Sequence, residues 1–307
     1  MTTSKLLALS GGGAMGESQA QVLYKLELEA NKPLWQNYKL IAGSSVGAIH
    51  AAIIGSGRMS MERLSIIEEE MLTKIFSHKR MFPNFYKTDV FIDIWNSIIG
   101  SDLKFGDMKT RVMISSVEKC TNRTVFFKSW EEKDANLKLI DVVMRSFAAP
   151  LFFGQINVPS EQRVYTDGGC GASNLPLEAV RFEAELEGWY LPPGFYEQGR
   201  KIFIDAVGAL FIDDTTSYKD AANDRPIRQV FDFIAPSEGG MARIQSRTDQ
   251  IRKIQKLATV NKNVSFRYWD YCIPEKFDGM DKIKYLHFYK DCGKTASKKP
   301  LIEILNP

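Results

Sequence analysis

Lys5-Leu6-Leu7-Ala8-Leu9-Ser10-Gly11-Gly12-Gly13-Ala14-Met15-Gly16 sets the fold of the N-terminal part. A short apolar run that stops at three glycines predicts a buried strand leaving through a tight turn. Ala20, Leu23, Leu26 and Leu28 then predict a helix over 17–30. The pattern repeats at once. Residues 39–42 predict a second short strand, Gly43-Ser44-Ser45-Val46-Gly47 a second turn, and 46–54 a buried apolar helix. Strand, glycine turn and helix, twice in succession, predict an α/β protein with a parallel sheet.

Further along, Ser60 reads as an N-cap, with Leu64, Ile67, Met71 and Ile75 as the inward face of its helix. Thr88-Asp89 reads as the cap of a helix carrying Phe91, Ile94, Trp95, Ile98 and Ile99 and stopping at Gly100. Strands are predicted at 111–117, 124–130, 163–166, 201–207 and 265–273, and helices at 137–147 and 241–260. Residues 285–289 read as an aromatic, strand-like run. No repeat or long linker interrupts the 307 residues, which predicts one domain over 1–307. Its motifs all lie between about residues 5 and 210, leaving 211–307 without one.

Hydrophobic residues make up 44% and charged residues 25%, which excludes disordered, collagen-like and disulfide-scaffold classes. The net charge of +3 gives no reason to expect a nucleic-acid polymer as partner. Residues 242–307 carry 14 Lys and Arg against 7 Asp and Glu, a local +7, which leaves −4 for the rest. Such a basic segment suits either an anionic partner or a solvated face. Four cysteines without a C-x-x-C pair and three histidines predict no metal site and a reduced, cytoplasmic protein. No secretory leader and no spanning helix are read.

Three glycine motifs carry the chemistry. Gly11-Gly12-Gly13-Ala14-Met15-Gly16 bares backbone N–H groups before a helix, so it suits a dinucleotide, an oxyanion or only a tight turn. Gly43-Ser44-Ser45-Val46-Gly47 has the G-x-S-x-G form of a nucleophile elbow, with the required strand before and helix after. Asp167-Gly168-Gly169 sets a carboxylate at a strand end, either as a functional group or as a common turn. A serine nucleophile needs a base. His50 lies inside the apolar helix, His78 in a basic loop and His287 in the aromatic run, so Asp167 is the better candidate. The rival reading is a nucleotide-binding, Rossmann-like protein. It wants an acidic residue after the second strand, where this chain has Gly43-Ser44-Ser45.

Together these motifs resemble the patatin-like phospholipases. Arg145-Ser146-Phe147-Ala148-Ala149-Pro150-Leu151-Phe152-Phe153 is similar to that family's S-x-A-A-P-x-x-F segment, and Asp167-Gly168-Gly169 with Asn174-Leu175-Pro176 to its D-G-G…N-x-P. The resemblance implies a three-layer α/β/α sandwich with a mostly parallel central sheet. It implies a lipid acyl hydrolase of the phospholipase A type acting through an acyl-enzyme. Ser45 is then the nucleophile and Asp167 its base, Gly11, Gly12 and Gly13 supply the oxyanion hole, and Gly16, Gly43, Gly47, Gly168 and Gly169 complete the motifs. No metal or cofactor is implied. The alternative within the class is a constitutive carboxylesterase on other esters. Met15 departs from the family, which usually has Arg or Lys there.

Within that family the chain resembles compact bacterial phospholipases activated by cyclic nucleotide second messengers in antiphage defence (CBASS-type effectors). That implies a cyclic nucleotide activator, a homo-oligomer, and action on phospholipid at the inner membrane surface. Phe76, Met81, Phe82, Phe85 and Tyr86, among Lys74, His78, Lys79, Arg80 and Lys87, read either as an interfacial anchor or as a loop packed on the core. Arg243, Arg247, Arg252, Lys253, Lys256, Lys262 and Arg267 could hold phosphates, with Phe266, Tyr268, Trp269 and Tyr271 stacking a base. Their alternative is a basic helix face followed by a core strand.

Overall fold

Alternation along the first strand, β1 (Thr3–Leu9), builds two cores at once. Leu7 and Leu9 enter one apolar layer, while Leu6 and Ala8 enter the other, and all four are fully buried. Side chains alternate because a strand has a period of two. Each buried leucine contributes roughly 1.5–3 kcal/mol.

The computed structural model describes residues 3–77, 79, 84–189, 200–212, 240–274, 277, 279 and 281–306, with backbone alone over 240–246. The other strands are β2 (Leu40–Gly43), β3 (Arg111–Glu118), β4 (Arg123–Lys128), β5 (Ile156–Val158), β6 (Arg163–Asp167), β7 (Lys201–Val207), β8 (Phe211–Ile212), β9 (Val264–Trp269), β10 (Cys272–Ile273) and β11 (Ile302–Ile304). The helices are α1 (Gly16–Ala30), α2 (Leu34–Asn37), α3 (Val46–Ser56), α4 (Met61–Ile75), α5 (Thr88–Ile98), α6 (Glu132–Ala135), α7 (Leu139–Phe147), α8 (Leu177–Leu186), α9 (Gly240–Val260) and α10 (Leu286–Ala296).

The main sheet runs β11-β9-β7-β1-β2-β3-β6-β5, with β4 also on β3. Its centre, β9-β7-β1-β2-β3, is parallel, and antiparallel strands close both sides. Residues of α1, α3, α4, α5, α7 and α10 fill one apolar layer and residues of α8 and α9 the other, giving the expected α/β/α sandwich. A two-stranded sheet, β10-β8, lies apart.

The antiparallel strand β6 is what brings distant residues together. β2 pairs with Arg111–Ile114 of β3, and β6 pairs with Ser116–Glu118. β4 spans Met113–Glu118 and therefore occupies the opposite edge. β2 and β6 thus share one edge of β3 and run head-on toward Ser115. Their C-terminal ends, Gly43 and Asp167, arrive beside each other. The sequence reading placed Asp167 at a strand end, as observed, but within a sheet expected to be parallel; its strand runs antiparallel to β3.

Several other expectations need correction. Residues 285–289 are not a strand: α10 buries Leu286, Tyr289, Gly293 and Ala296 at helical spacing. Lys87, not Thr88-Asp89, is the N-cap of α5. Ser60 does cap α4, accepting from the Arg63 N–H. Residues 265–273 break into β9 and β10, because Asp270 turns away to pair with Arg247. Phe76 and Tyr86 are buried and pack with Phe153, and Phe85 packs edge-on against Phe152. Lys79 pairs with Asp281. Phe76, Phe85 and Tyr86 thus pack on the core, the second of the two readings, while Lys79 stays exposed; His78, Arg80, Met81 and Phe82 lie outside the described residues. Among the described residues no helix is long and apolar enough to cross a membrane.

The first turn of α1 also buries a carboxyl group. Burial, reinforced by the nearby Glu68 carboxylate, pushes Glu17 up to about 8 from 4.5, although Lys290 Nζ lies 3.6 Å away. A folded-state pKa above the unfolded value means that the folded protein holds the proton. The stability this contributes is complete below pH 4.5 and is lost as pH rises toward 8. Glu17→Gln, which stays neutral, is expected to raise Tm at pH 8 relative to the wild type. The gap should close toward pH 5. Thermal melts at the two pH values test this, and a gap independent of pH would refute it.

Candidate active site

The G-x-S-x-G turn packs three backbone segments so closely that side chains are excluded. A Cβ on Gly43 would sit 2.1 Å from the Gly47 carbonyl oxygen, and one on Gly47 would sit 2.6 Å from that of Leu9. Between them Ser45 has φ 53° and ψ −123°, a conformation that costs a non-glycine residue about 1–3 kcal/mol. The turn is held from outside. The Ser45 N–H donates to Ser146 Oγ at 2.9 Å, and the Ala48 N–H donates to the Ser45 carbonyl at 2.9 Å. Gly16 brings α1 against α3, since its Cβ would meet Val46 Cγ2 at 2.4 Å.

Ser45 Oγ donates to Asp167 Oδ2 at 2.6 Å. The two residues are 122 apart in sequence and are 3% and 2% exposed. The other carboxylate oxygen, Oδ1, accepts the Gly169 N–H at 2.6 Å. Gly168 lies against the Ser115 backbone, where a Cβ would be 2.3 Å from the carbonyl oxygen. The Asp167 strand is fixed in turn. Its N–H donates to the Ala148 carbonyl at 3.0 Å, and Ser116 Oγ donates to the carbonyls of Arg145 and Thr166. The 145–150 segment therefore holds both Ser45 and Asp167. The sequence had marked that segment by its motif without giving Ser146 a task.

Of the three loop glycines, Gly11 is committed. Its N–H donates to Asn174, at 3.0 Å to Oδ1 and 3.1 Å to the carbonyl. The Gly12 and Gly13 N–H groups meet no acceptor among the described residues, and Gly12 is only partly buried. Of the three glycines expected to supply an oxyanion hole, only Gly12 and Gly13 keep an N–H without an acceptor among the described residues. Met15 is 8% exposed and packs into the same core as Val46, so the position where the resemblance leads one to expect Arg or Lys is apolar here.

Neither of the described histidines, His50 and His287, is hydrogen-bonded to Ser45. His50 is 1% exposed and bonded at both ring nitrogens, to Gln19 and Glu68. The His287 side chain is 78% exposed on α10, and His78 lies outside the described residues. The basic segment read as a phosphate site is not one cluster either. Arg247 is paired with Asp270 and donates to Leu210 and Tyr268, and Arg267 holds Asp205 at 2.8 Å. Phe266, Tyr268 and Trp269 are buried. Arg252, Lys253, Lys256 and Lys262 are exposed, and the side chain of Arg243 is outside the described set. Among the described residues no three His, Cys, Asp or Glu side chains come together to hold a metal ion.

The model of the patatin-like phospholipase family matches residues 7–181, a span that contains the end of β1, the serine turn and the Asp167 turn. A cGAMP-activated phospholipase of Escherichia coli (strain TW11681) is 30% identical over 190 residues, covering 55% of this chain and 53% of that protein. A cUMP-AMP-activated phospholipase of Escherichia coli is 26% identical over 189 residues, covering 57% and 58%. The matches span about half the length of these relatives. Among solved structures, VipD from Legionella pneumophila aligns with a TM-score of 0.45 and 11% identity, covering 96% of this chain and 67% of that one. With its family's segments matched over more than half its length, this chain belongs to the patatin-like phospholipases.

Proposed function

We propose that the chain is a lipid acyl hydrolase using Ser45 and Asp167 as a dyad, in one domain over 1–307. The observation that carries this reading is the 2.6 Å hydrogen bond from Ser45 Oγ to Asp167 Oδ2 at a strained turn. Ser45 Oγ attacks the ester carbonyl and passes its proton to Asp167. The Gly12 and Gly13 N–H groups receive the oxyanion, and a single such donor is typically worth about 3–4 kcal/mol in the transition state. The leaving alcohol takes the proton back from Asp167. Water, deprotonated by the same carboxylate, then attacks the acyl-enzyme and releases the fatty acid. A fluorophosphonate should label the wild type stoichiometrically and leave Ser45→Ala unlabelled. Equal labelling of both would refute the assignment.

The relatives named as cGAMP- and cUMP-AMP-activated phospholipases support a cyclic dinucleotide as activator and phospholipid as substrate; action at the inner membrane surface is part of the proposal. A ligand shifts such an enzyme only by binding its active state better. The purified protein is expected to be nearly silent on anionic vesicles. A cyclic di- or trinucleotide should raise fatty-acid release by roughly 5- to 150-fold, the usual range of coupling, with growth in particle size as the protein oligomerises. Fatty-acid release and light scattering across a panel of these nucleotides provide the test. Full activity without ligand, or no response to the whole panel, leaves a constitutive esterase.

A further inference from the structure

Within the fully buried helix α3, otherwise mostly apolar, His50 is out of place. Its partners explain it. Gln19 Nε2 donates to two carbonyl oxygens, Ser10 at 3.2 Å and Val207 at 3.0 Å, which leaves Gln19 Oε1 facing His50 Nδ1 at 2.7 Å. An amide oxygen can only accept, so Nδ1 carries the proton. His50 Nε2 lies 2.7 Å from Glu68 Oε1. Gln19, His50 and Glu68 are 0%, 1% and 2% exposed.

The carbonyl that Gln19 holds belongs to the same peptide unit as the Gly11 N–H that Asn174 holds. A peptide is planar, so gripping its oxygen and its N–H fixes the plane. Ser10 is pinned further: its N–H donates to the Val207 carbonyl at 3.1 Å, and its Oγ accepts the Ala209 N–H at 2.9 Å. Beyond this point the chain is Gly11-Gly12-Gly13, the stretch with most backbone freedom to lose. A donor pair that is free to rotate would have to be ordered during the reaction, whereas a fixed one is not. The network is also a poor way to gain stability. A buried histidine–carboxylate pair gains little over an apolar pair of the same size, and Glu68 Oε2 has no hydrogen-bond partner among the described residues.

We propose that Gln19, held in orientation by His50 and Glu68, is a positioning residue that clamps the Ser10–Gly11 peptide and so aims the Gly12 and Gly13 N–H groups at the reacting carbonyl. The proposal rests on the hydrolase reading above. It assigns His50 a task in the site without contact with Ser45 or substrate.

The test uses the whole chain, a p-nitrophenyl ester and its thiono counterpart, with whichever cyclic dinucleotide gives the fastest wild-type turnover. Sulfur accepts N–H hydrogen bonds poorly, so the oxygen-over-sulfur preference reports the oxyanion donors while general damage lowers both rates alike. Gln19→Glu keeps the acceptor for His50 but turns oxygen toward the two carbonyls. It is expected to lower kcat on the oxygen ester about 10- to 100-fold, with KM changed less than about threefold and the thiono rate much less affected. His50→Leu should do the same. His50→Gln, which can still donate to Gln19, should recover the preference to within about threefold of wild type. Unchanged preference in folded Gln19→Glu or His50→Leu, or equal loss on both esters, overturns the clamp. If Gln19→Glu fails to fold by circular dichroism, the two His50 variants decide. A wild type that turns over neither ester and takes no fluorophosphonate label overturns the hydrolase reading and the clamp with it; an active wild type with an unmoved preference overturns the clamp alone.

Discussion

Ser45→Ala is expected to lower kcat on a short-chain ester by about four or more orders of magnitude, the usual loss when one member of a catalytic unit is removed. The protein should remain folded. Alanine fits wherever serine fits, and the turn is held by the Ser45 N–H and carbonyl, which the substitution retains. Asp167 loses one donor but keeps the Gly169 N–H, so stability should fall by about 1–3 kcal/mol, the worth of a hydrogen bond to a charged group. Steady-state turnover and a thermal melt on the same preparation separate the two effects. Turnover equal to wild type would end the assignment of Ser45. A large fall in both activity and Tm would leave the chemistry and the fold unresolved from each other, and fluorophosphonate labelling of the folded fraction would then decide.

The glycine motifs were legible because their demands are local. Gly43, Gly47 and Gly16 leave no room for a Cβ, and a strand on one side with a helix on the other appears directly in the apolar pattern. Residues 201–207 were read as a strand with the observed ends for the same reason: a short run that is apolar from Ile202 to Val207 apart from Asp205 crosses a sheet covered on both faces. The direction of β6 was not legible. Nothing within Arg163–Asp167 says that it pairs antiparallel with β3, more than 40 residues earlier, although that pairing delivers Asp167 to Ser45. The tasks of Gln19 and Asn174 were hidden in the same way, in hydrogen bonds spanning 188 and 163 residues.

Two misreadings came from composition taken without period. The aromatic run 285–289 looks like a strand at five residues, but Leu286, Tyr289, Gly293 and Ala296 repeat at three and four, and a longer window would have read α10. The basic-aromatic segment was read by residue type. On β9 the period is two, so Phe266 and Tyr268 enter one apolar layer, while Arg267 points elsewhere and is neutralised by Asp205. Clustered arginines indicate an anion site only where no carboxylate of the protein already occupies them.

Asp167→Asn is the sharper test of the dyad, because it changes the chemistry of one atom. The Gly169 N–H donates to Oδ1, so the new amide must keep its oxygen there and turn its NH2 toward Ser45. An acceptor for the serine proton becomes a donor to the serine oxygen. Ser45 Oγ then has nowhere to send its proton, and one of its lone pairs is occupied. The expected loss in kcat is about 10³- to 10⁵-fold, with slower fluorophosphonate labelling and a Tm within a few degrees of wild type, because size and hydrogen-bond count are kept. Substrate binding should change little, which places the loss in kcat rather than KM. Near-wild-type turnover in the Asn variant would mean that another group takes the proton. His50 could not easily be that group, since both its ring nitrogens are engaged, with Gln19 and with Glu68. Such a result would therefore move the base outside the described part of the site and leave Asp167 as a residue that shapes the turn.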